Sequence, residues 1–211
     1  MMKRSSAILI ALTAMILLSG CLGAVKYPNY YTLTVPAPPD PPAPETAHAI
    51  LAVREFRAPE YLRQGSIVYR PSPEQIGFYA YHRWATDPRD FVTEAVMDRL
   101  RASGKFAQVE PYNGRADIDY VLIGRLENLE EIDYEGDVKV EVSLSVQLER
   151  LSTGATVWTN SVTEEGKVVR RDVPAVVAAM SRTMEKAIDK LLTPVPAVRG
   201  EPPPPRAGVT E

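Results

Sequence analysis

Cysteine and histidine are scarce in this 211-residue chain, which contains one cysteine and two histidines. A single thiol excludes a disulfide within one chain, and three such residues cannot supply a four-ligand Cys/His zinc site. Neither His48 nor His82 has a serine–acid arrangement near it in the sequence, so both are predicted to be ordinary surface or loop histidines. The motifs of serine hydrolases, zinc proteases, Walker-type nucleotidases and dinucleotide-binding enzymes are also missing. We therefore predict a protein that is not an enzyme and holds no metal.

A large net charge is also lacking, since the formal net charge is −3. A nucleic-acid-binding domain usually has a basic surface, so nucleic acid is an unexpected partner. The acidic run at 133–137 lacks the glycine and glutamate of a calcium loop and is predicted to be a hairpin tip. Asp117 and Asp119 are either paired catalytic carboxylates or solvent-facing residues at a strand edge. Arg170 and Arg171 either contact lipid phosphate or form a charged loop before a helix.

The N-terminus has no apolar run long enough to span a membrane, which requires roughly 20 residues. The short run Ala7–Leu18 follows two basic residues and leads into Leu18-Ser19-Gly20-Cys21. A positive start, a short apolar stretch and small residues before a cysteine are typical of a lipoprotein signal peptide. We predict that residues 1–20 are removed by cleavage between Gly20 and Cys21. Cys21 then carries diacylglycerol and an N-acyl chain, and no other cofactor is expected. Leu22 after the cysteine favours sorting to the outer membrane.

Proline is abundant, with 19 residues concentrated in segments 36–44 and 194–205. The first segment is predicted to be either a stiff polyproline arm, extending about 3.1 Å per residue, or a loose linker. It lies within a lipidated N-terminal segment, residues 21–48, and would hold the domain away from the anchor. The domain itself is assigned to residues 49–193. Residues 194–211 are predicted to be a disordered, proline-rich tail.

The middle of the chain alternates between strand and helix patterns. Strands are predicted at 25–35, 50–56, 66–70, 77–81, 106–110, 120–131, 138–149 and 156–163. Val138–Glu149 alternates strictly between apolar and polar residues, which predicts one buried and one wet face. One helix is predicted to begin after Asp87 and to end near Gly104, and a second to run from the cap Asp172 to Pro194. We expect a single α+β domain with a mixed or antiparallel sheet and two main helices on one face.

Aromatic and aliphatic residues before the first helix lie outside the most regular segments. Such residues in loops are frequent at protein interfaces. We therefore predict that a partner contacts Tyr61, Leu62, Tyr79, Tyr81 and Trp84. The alternative is that Trp84 packs beneath the helix as a lid on the core.

Several segments, in this order and spacing, match one protein family. They are Leu18-Ser19-Gly20-Cys21, Tyr30-Tyr31-Thr32-Leu33, Ile50-Leu51-Ala52-Val53, Tyr61-Leu62-Arg63-Gln64, Ile67-Val68-Tyr69-Arg70, Arg83-Trp84, Ala116-Asp117-Ile118-Asp119-Tyr120, Thr156-Val157-Trp158 and Val177-Ala178-Ala179-Met180. Over residues 18–192 the chain resembles the ABC-type transport auxiliary lipoproteins, also called PqiC-like or YmbA-like lipoproteins. The long proline arm and tail are departures from that pattern.

The resemblance implies a lipoprotein of the outer membrane that faces the periplasm. It implies a partner with mammalian-cell-entry (MCE) domains, an associated permease and ATPase, and assembly of the chain into a homo-oligomeric ring. The implied function is that of a non-enzymatic auxiliary subunit in lipid transport between the two membranes, which supports envelope integrity. The alternative is a tethered structural lipoprotein that binds peptidoglycan or another envelope protein and has no transport role.

Overall fold

The computed structural model describes residues 26–39, 49–115, 117–134 and 136–198. Cys21, Gly20, His48, Glu135 and the residues from 199 onward lie outside these ranges. In chain order the elements are β1 (Asn29–Tyr31), β2 (Ile50–Val53), a 3-10 helix (Glu60–Gln64), β3 (Ser66–Ser72), β4 (Gln75–Trp84), α1 (Pro88–Ala102), β5 (Gln108–Pro111), β6 (Tyr120–Ile132), β7 (Lys139–Arg150), β8 (Ala155–Lys167) and α2 (Val173–Leu192).

The eight strands form one mixed sheet in which β6 is the central strand. On one side, β6 pairs along its whole length with β7, and β7 pairs with β8. On its other side, β6 is shared by two short parallel partners. Strand β2 pairs with the start of β6 and leads to β5, while β3 pairs with its end and leads to β4 and β1. The prediction of an α+β domain with a mixed sheet is therefore confirmed.

The meander β6–β7–β8 follows the alternation in the sequence. Every second side chain of β7, from Val140 to Leu148, is buried beneath the helices. The polar side chains between them face the other way and are half-exposed, so the predicted two-faced strand is confirmed. Ser143 is an exception, because it is 7% exposed and its hydroxyl lies 2.8 Å from that of Thr163 on β8.

Both helices lie where the sequence predicted them. The Asp87 side chain accepts a hydrogen bond from the amide of Arg89 at the start of α1, and that of Asp172 accepts one from the amide of Ala175 at the start of α2. Proline occupies the first turn of each helix, where its missing amide hydrogen costs nothing. The two helices pack against the same face of the sheet. Their apolar stripes and the inward side chains of β2, β3, β6 and β7 form the main core.

Strand β1 and the beginning of the proline arm belong to the fold. Tyr31 pairs with Trp84 of β4, and Leu33 is only 5% exposed. The amide of Thr34 donates to the Ser181 hydroxyl of α2 at 3.1 Å. The next residues, Val35–Pro38, line a small groove together with α1. In chain order, the described start of the arm follows β1 and precedes β2, and both strands belong to the same sheet. Strand β1, which precedes the prolines, is therefore paired within the same sheet as the later strands.

No helix in the described ranges is both long enough and apolar enough to cross a membrane.

Candidate functional site

The five residues predicted to contact a partner do not form one exposed surface. Leu62 and Trp84 are 2% and 6% exposed and belong to the core. Tyr61 and Tyr79 are half-buried against that core, and only Tyr81, at 46%, is substantially exposed. The premise that these residues lie outside the core is therefore wrong for Leu62 and Trp84, and the alternative of a core lid holds for Trp84.

The burial of Leu62 and Trp84 has a local cause. The segment predicted as a loop after Pro59 is a 3-10 helix, closed by Gly65 with a left-handed backbone of φ +76°. This turn folds Leu62 onto the core, and the amide of Trp84 donates to the Gly65 carbonyl at 2.8 Å. A loop that covers the end of a sheet needs its own apolar side chains, and these two supply them.

A buried tyrosine–glutamate pair lies at the end of β6. Tyr79 donates its hydroxyl hydrogen to Glu131 Oε2 at 2.7 Å, and Glu131 is 5% exposed. Burial raises the pKa of the Glu131 carboxyl, although the bond from Tyr79 lowers it in part. Burial and the same bond raise the pKa of Tyr79 well above its ordinary value. The hydrogen bond between the two side chains links β4 to β6.

The preceding acid, Glu130, is held differently. Arg70 of β3 donates to both of its carboxylate oxygens, at 2.9 and 3.0 Å, and Glu130 is 1% exposed. A bidentate pair of this kind neutralises a buried carboxylate efficiently. Tyr61 donates to the side-chain oxygen of Asn128 on β6 at 3.3 Å, and burial raises the pKa of its hydroxyl. The hydrogen bonds of these polar groups therefore join β3 and the 3-10 helix to β6.

His82 is placed differently from the prediction. It lies on strand β4, half-buried, with Nδ1 2.9 Å from the Tyr31 hydroxyl. Its ring also contacts those of Tyr31 and Tyr79, with both centroid distances at 5.6 Å. The expectation of a surface or loop histidine is therefore wrong, and His82 links β1 to β4.

The other charged candidates have structural partners. Asp119 Oδ2 accepts a hydrogen bond from the amide of Ile50 at 2.7 Å, which fixes the start of β2, and Asp117 pairs with Arg115. Arg171 donates to the Gly136 carbonyl at 2.7 Å and thereby ties the loop before α2 to the β6–β7 hairpin. The catalytic interpretation of the two aspartates finds no support in this arrangement. Within the described ranges, no three acidic, histidine or cysteine residues come together as a metal site.

Sequence reasoning selected Tyr81 but missed the other exposed aromatic residues on β4, on β1 and just before β1; we call the whole set the aromatic edge. Its members are exposed by 39–81%. They are Tyr27, Tyr30, Phe78 and Tyr81. Lys26 Nζ lies 5.6 Å from the centroid of the Tyr81 ring, within range of a cation–π contact. The signal that could have revealed the cluster is the spacing of Tyr27 and Tyr30, which follow Cys21 within nine residues.

The sheet face opposite the helices is polar across its centre. A shallow open concavity of about 600 Å³ lies there over β6, β7 and β8. Polar residues that line it include Arg57, Arg125, Ser145, Gln147, Thr159 and Ser161. Such a lining suits water or polar groups better than an acyl chain.

Comparison with known proteins finds one matching family and solved structures with a similar fold. The model of the family described as "ABC-type transport auxiliary lipoprotein component" matches residues 31–191. The crystal structure of XCC0632 from Xanthomonas campestris is 23% identical, with a TM-score of 0.67 over 78% of this chain and 92% of that one. An uncharacterized protein is 16% identical, with a TM-score of 0.60 over 78% and 95% of the two chains. These likenesses concern the fold. No curated protein matches.

Proposed function

The chain belongs to the family of ABC-type transport auxiliary lipoprotein components, and on this premise we propose its place in the cell envelope. It is a non-enzymatic lipoprotein of the outer membrane, held on the periplasmic side by lipid on Cys21. It serves as a tethered adaptor for an MCE-domain protein with its permease and ATPase, in lipid transport between the membranes.

The observation that carries this proposal is the order of two features along the chain. The family match begins at residue 31, ten residues after the cysteine of Leu18-Ser19-Gly20-Cys21. An acylated Cys21 would therefore tether the family domain directly to a membrane. Two acyl chains on diacylglycerol and a third on the amine supply more than the two lipid signals that stable anchoring requires.

The described residues support an adaptor more than a catalyst. Charged and phenolic side chains of the kinds used in catalysis instead form bonds between strands. Tyr79 is hydrogen-bonded to Glu131, and Arg70 forms an ion pair with Glu130. Asp119 caps a backbone amide. The polar concavity over β6–β8 also gives little apolar surface for a carried lipid. These features favour a protein that holds partners in place.

The assembly into a homo-oligomeric ring is part of the same proposal. Within the described part of the chain, β8 pairs only with β7, so its outer edge presents backbone hydrogen-bonding groups that a neighbour could use. Mass photometry of the lipidated protein in detergent tests this point. A monomer at all concentrations would contradict the ring.

Two experiments test the function. Cys21→Ala is expected to leave an unprocessed precursor without label from radioactive palmitate, whereas Ser19→Ala keeps a small residue and retains the label. Label on the alanine variant would show that the anchor lies elsewhere.

The second experiment identifies the partner. The lipidated protein is crosslinked in intact cells, purified from the outer-membrane fraction and analysed by mass spectrometry. An MCE-domain protein, with its permease and ATPase, should be enriched over the Cys21→Ala control. Enrichment of peptidoglycan-bound proteins alone would favour the structural alternative.

A further inference from the structure

The exposed apolar side chains of the fold are concentrated at one edge of the sheet. Of the seven large exposed apolar side chains in the described ranges, four belong to the aromatic edge. The most exposed of the four are Tyr27 at 81% and Tyr30 at 64%, followed by Tyr81 at 46%. A cluster of this kind on a folded domain is typical of a contact surface.

The strand register places Tyr30 near Tyr81, and Tyr27 comes just before β1. In the parallel β1–β4 pair, Tyr30 lies opposite Arg83, and Tyr81 comes two residues earlier on β4. Lys26, just ahead of β1, reaches the ring of Tyr81. The edge therefore combines phenol rings with a primary amine. Tyrosine rings with one apolar body and one polar tip prefer the boundary between water and lipid, and lysine suits the phosphates there.

The length of chain between this edge and Cys21 limits where the edge can lie. Five residues lead from Cys21 to Lys26, and five residues span at most about 18 Å when fully extended. An acylated cysteine lies at the headgroup level of the bilayer. Because β1 is already part of the sheet, no longer spacer can intervene between the lipid and the domain.

We propose that the aromatic edge rests in the headgroup region of the bilayer that holds the lipid of Cys21. The inference rests on the lipidation in the proposed function and adds an orientation to it. Tyr27, Tyr30 and Tyr81 are the contacts, and Lys26 pairs with lipid phosphate. Strand β8 is the opposite edge of the sheet, five strand intervals from β1, or roughly 24 Å. It therefore lies farther from the membrane than the aromatic edge does.

The lone cysteine makes a direct test possible. Acylation consumes the thiol of Cys21, so a cysteine introduced elsewhere is the only free thiol in the mature protein. A bimane label is placed on Tyr30→Cys, and on the matched control Val157→Cys, which is also exposed but lies on β8. The lipidated proteins are reconstituted into phosphatidylethanolamine–phosphatidylglycerol vesicles that contain a lipid with a headgroup-level nitroxide quencher.

Quenching at Tyr30→Cys is expected to exceed that at Val157→Cys at least about twofold, since tyrosine at an interface sits at headgroup depth. In a Tyr30→Cys protein that also carries Tyr27→Ser and Tyr81→Ser, quenching should fall towards the β8 value. Unchanged quenching in that variant would mean that the tether alone brings the edge close, which overturns the inference. Protection from aqueous iodide without lipid quenching would mean that protein covers the edge, and it too overturns it.

Intact-mass measurement on the same samples separates the two proposals. A protein with the mass of three acyl chains and equal quenching at both sites refutes only the orientation. A protein without the lipid mass refutes the anchor and the inference together.

Discussion

Glu131 is the side chain whose environment has the clearest thermodynamic consequence. Its folded-state pKa is raised above the ordinary value of 4.5, mainly by burial. The folded protein therefore holds this proton more tightly than the unfolded chain does. The stability linked to this proton is fully present below the unfolded pKa and is lost as the pH rises through the folded pKa.

Glu131→Gln removes this titration and leaves an oxygen to accept the bond from Tyr79. We expect the stability of the variant relative to wild type to increase as the pH rises from the unfolded-state pKa of this carboxyl through its folded-state pKa. Urea unfolding at a series of pH values measures the difference. Glu94→Gln, on the exposed face of α1, is the matched control. The prediction fails if both variants follow the wild-type curve equally.

At the scale of elements, the segment after β1 gives a sharp prediction. Leu33 is buried where the chain crosses the helices, so Leu33→Ala should lower the free energy of unfolding by about 2–4 kcal/mol. Thr32→Ala, one residue earlier and exposed, removes only a hydroxyl bonded to the adjacent carbonyl. Chemical denaturation of both variants checks this. Equal midpoints would mean that the segment contributes nothing to the fold.

The two faces of β7 give a second prediction at the scale of elements. Leu144→Asp places an unpaired charge in the core, which should cost about 3 kcal/mol or more. Gln147→Asp, on the half-exposed face of the same strand, should cost less than about 1 kcal/mol. Thermal unfolding of the pair distinguishes the faces. Ser143 is unsuitable as the control, because it is nearly buried and bonded to Thr163.

Local patterns in the sequence predicted the elements that depend on local interactions. The caps Asp87 and Asp172, the helix stripes and the alternation of β7 all act within a few residues, so their outcome agrees with the prediction. Parallel pairing of β2 and β3 with β6 joins residues far apart, and periodicity carries no information about such partners. The 3-10 helix that buries Leu62 was missed for a related reason, since its apolar contacts are all tertiary.

The candidate site was less predictable than the fold. Tyrosines in irregular segments look alike in sequence, whether they face solvent as Tyr81 does or bond a buried acid as Tyr79 does. Glu131 itself left a usable signal. It occupies the inward series of β6 after Leu126 and Leu129, where a carboxyl requires a nearby donor.

For the molecule as a whole, the C-terminal limit of the folded unit can be tested by truncation. Lys105 donates to the carbonyls of Thr193 and Val195, and Val195 is 3% exposed. Removal of residues 193–211 should therefore cost about 2 kcal/mol of stability. Removal of 199–211 alone, a proline-rich segment with little apolar content, should leave the unfolding midpoint unchanged. Calorimetry of both truncations tests this, and a large loss in the shorter one would contradict it.

Strands β2 and β3 both pair with the same edge of β6, and this arrangement affects the order in which the sheet can assemble. Leu51 and Tyr69 both find their partners, Tyr120 and Glu131, on a strand that is synthesised later. Strands β6, β7 and β8 follow one another through short hairpins, so they can pair as soon as they are made. Within the first half of the protein β3 pairs with β4 and β2 pairs with β5, so these strands lack only their central partner β6. We therefore expect the N-terminal strands to join into one sheet only once the meander that contains β6 has formed, and their unpaired edges to be open to aggregation before that.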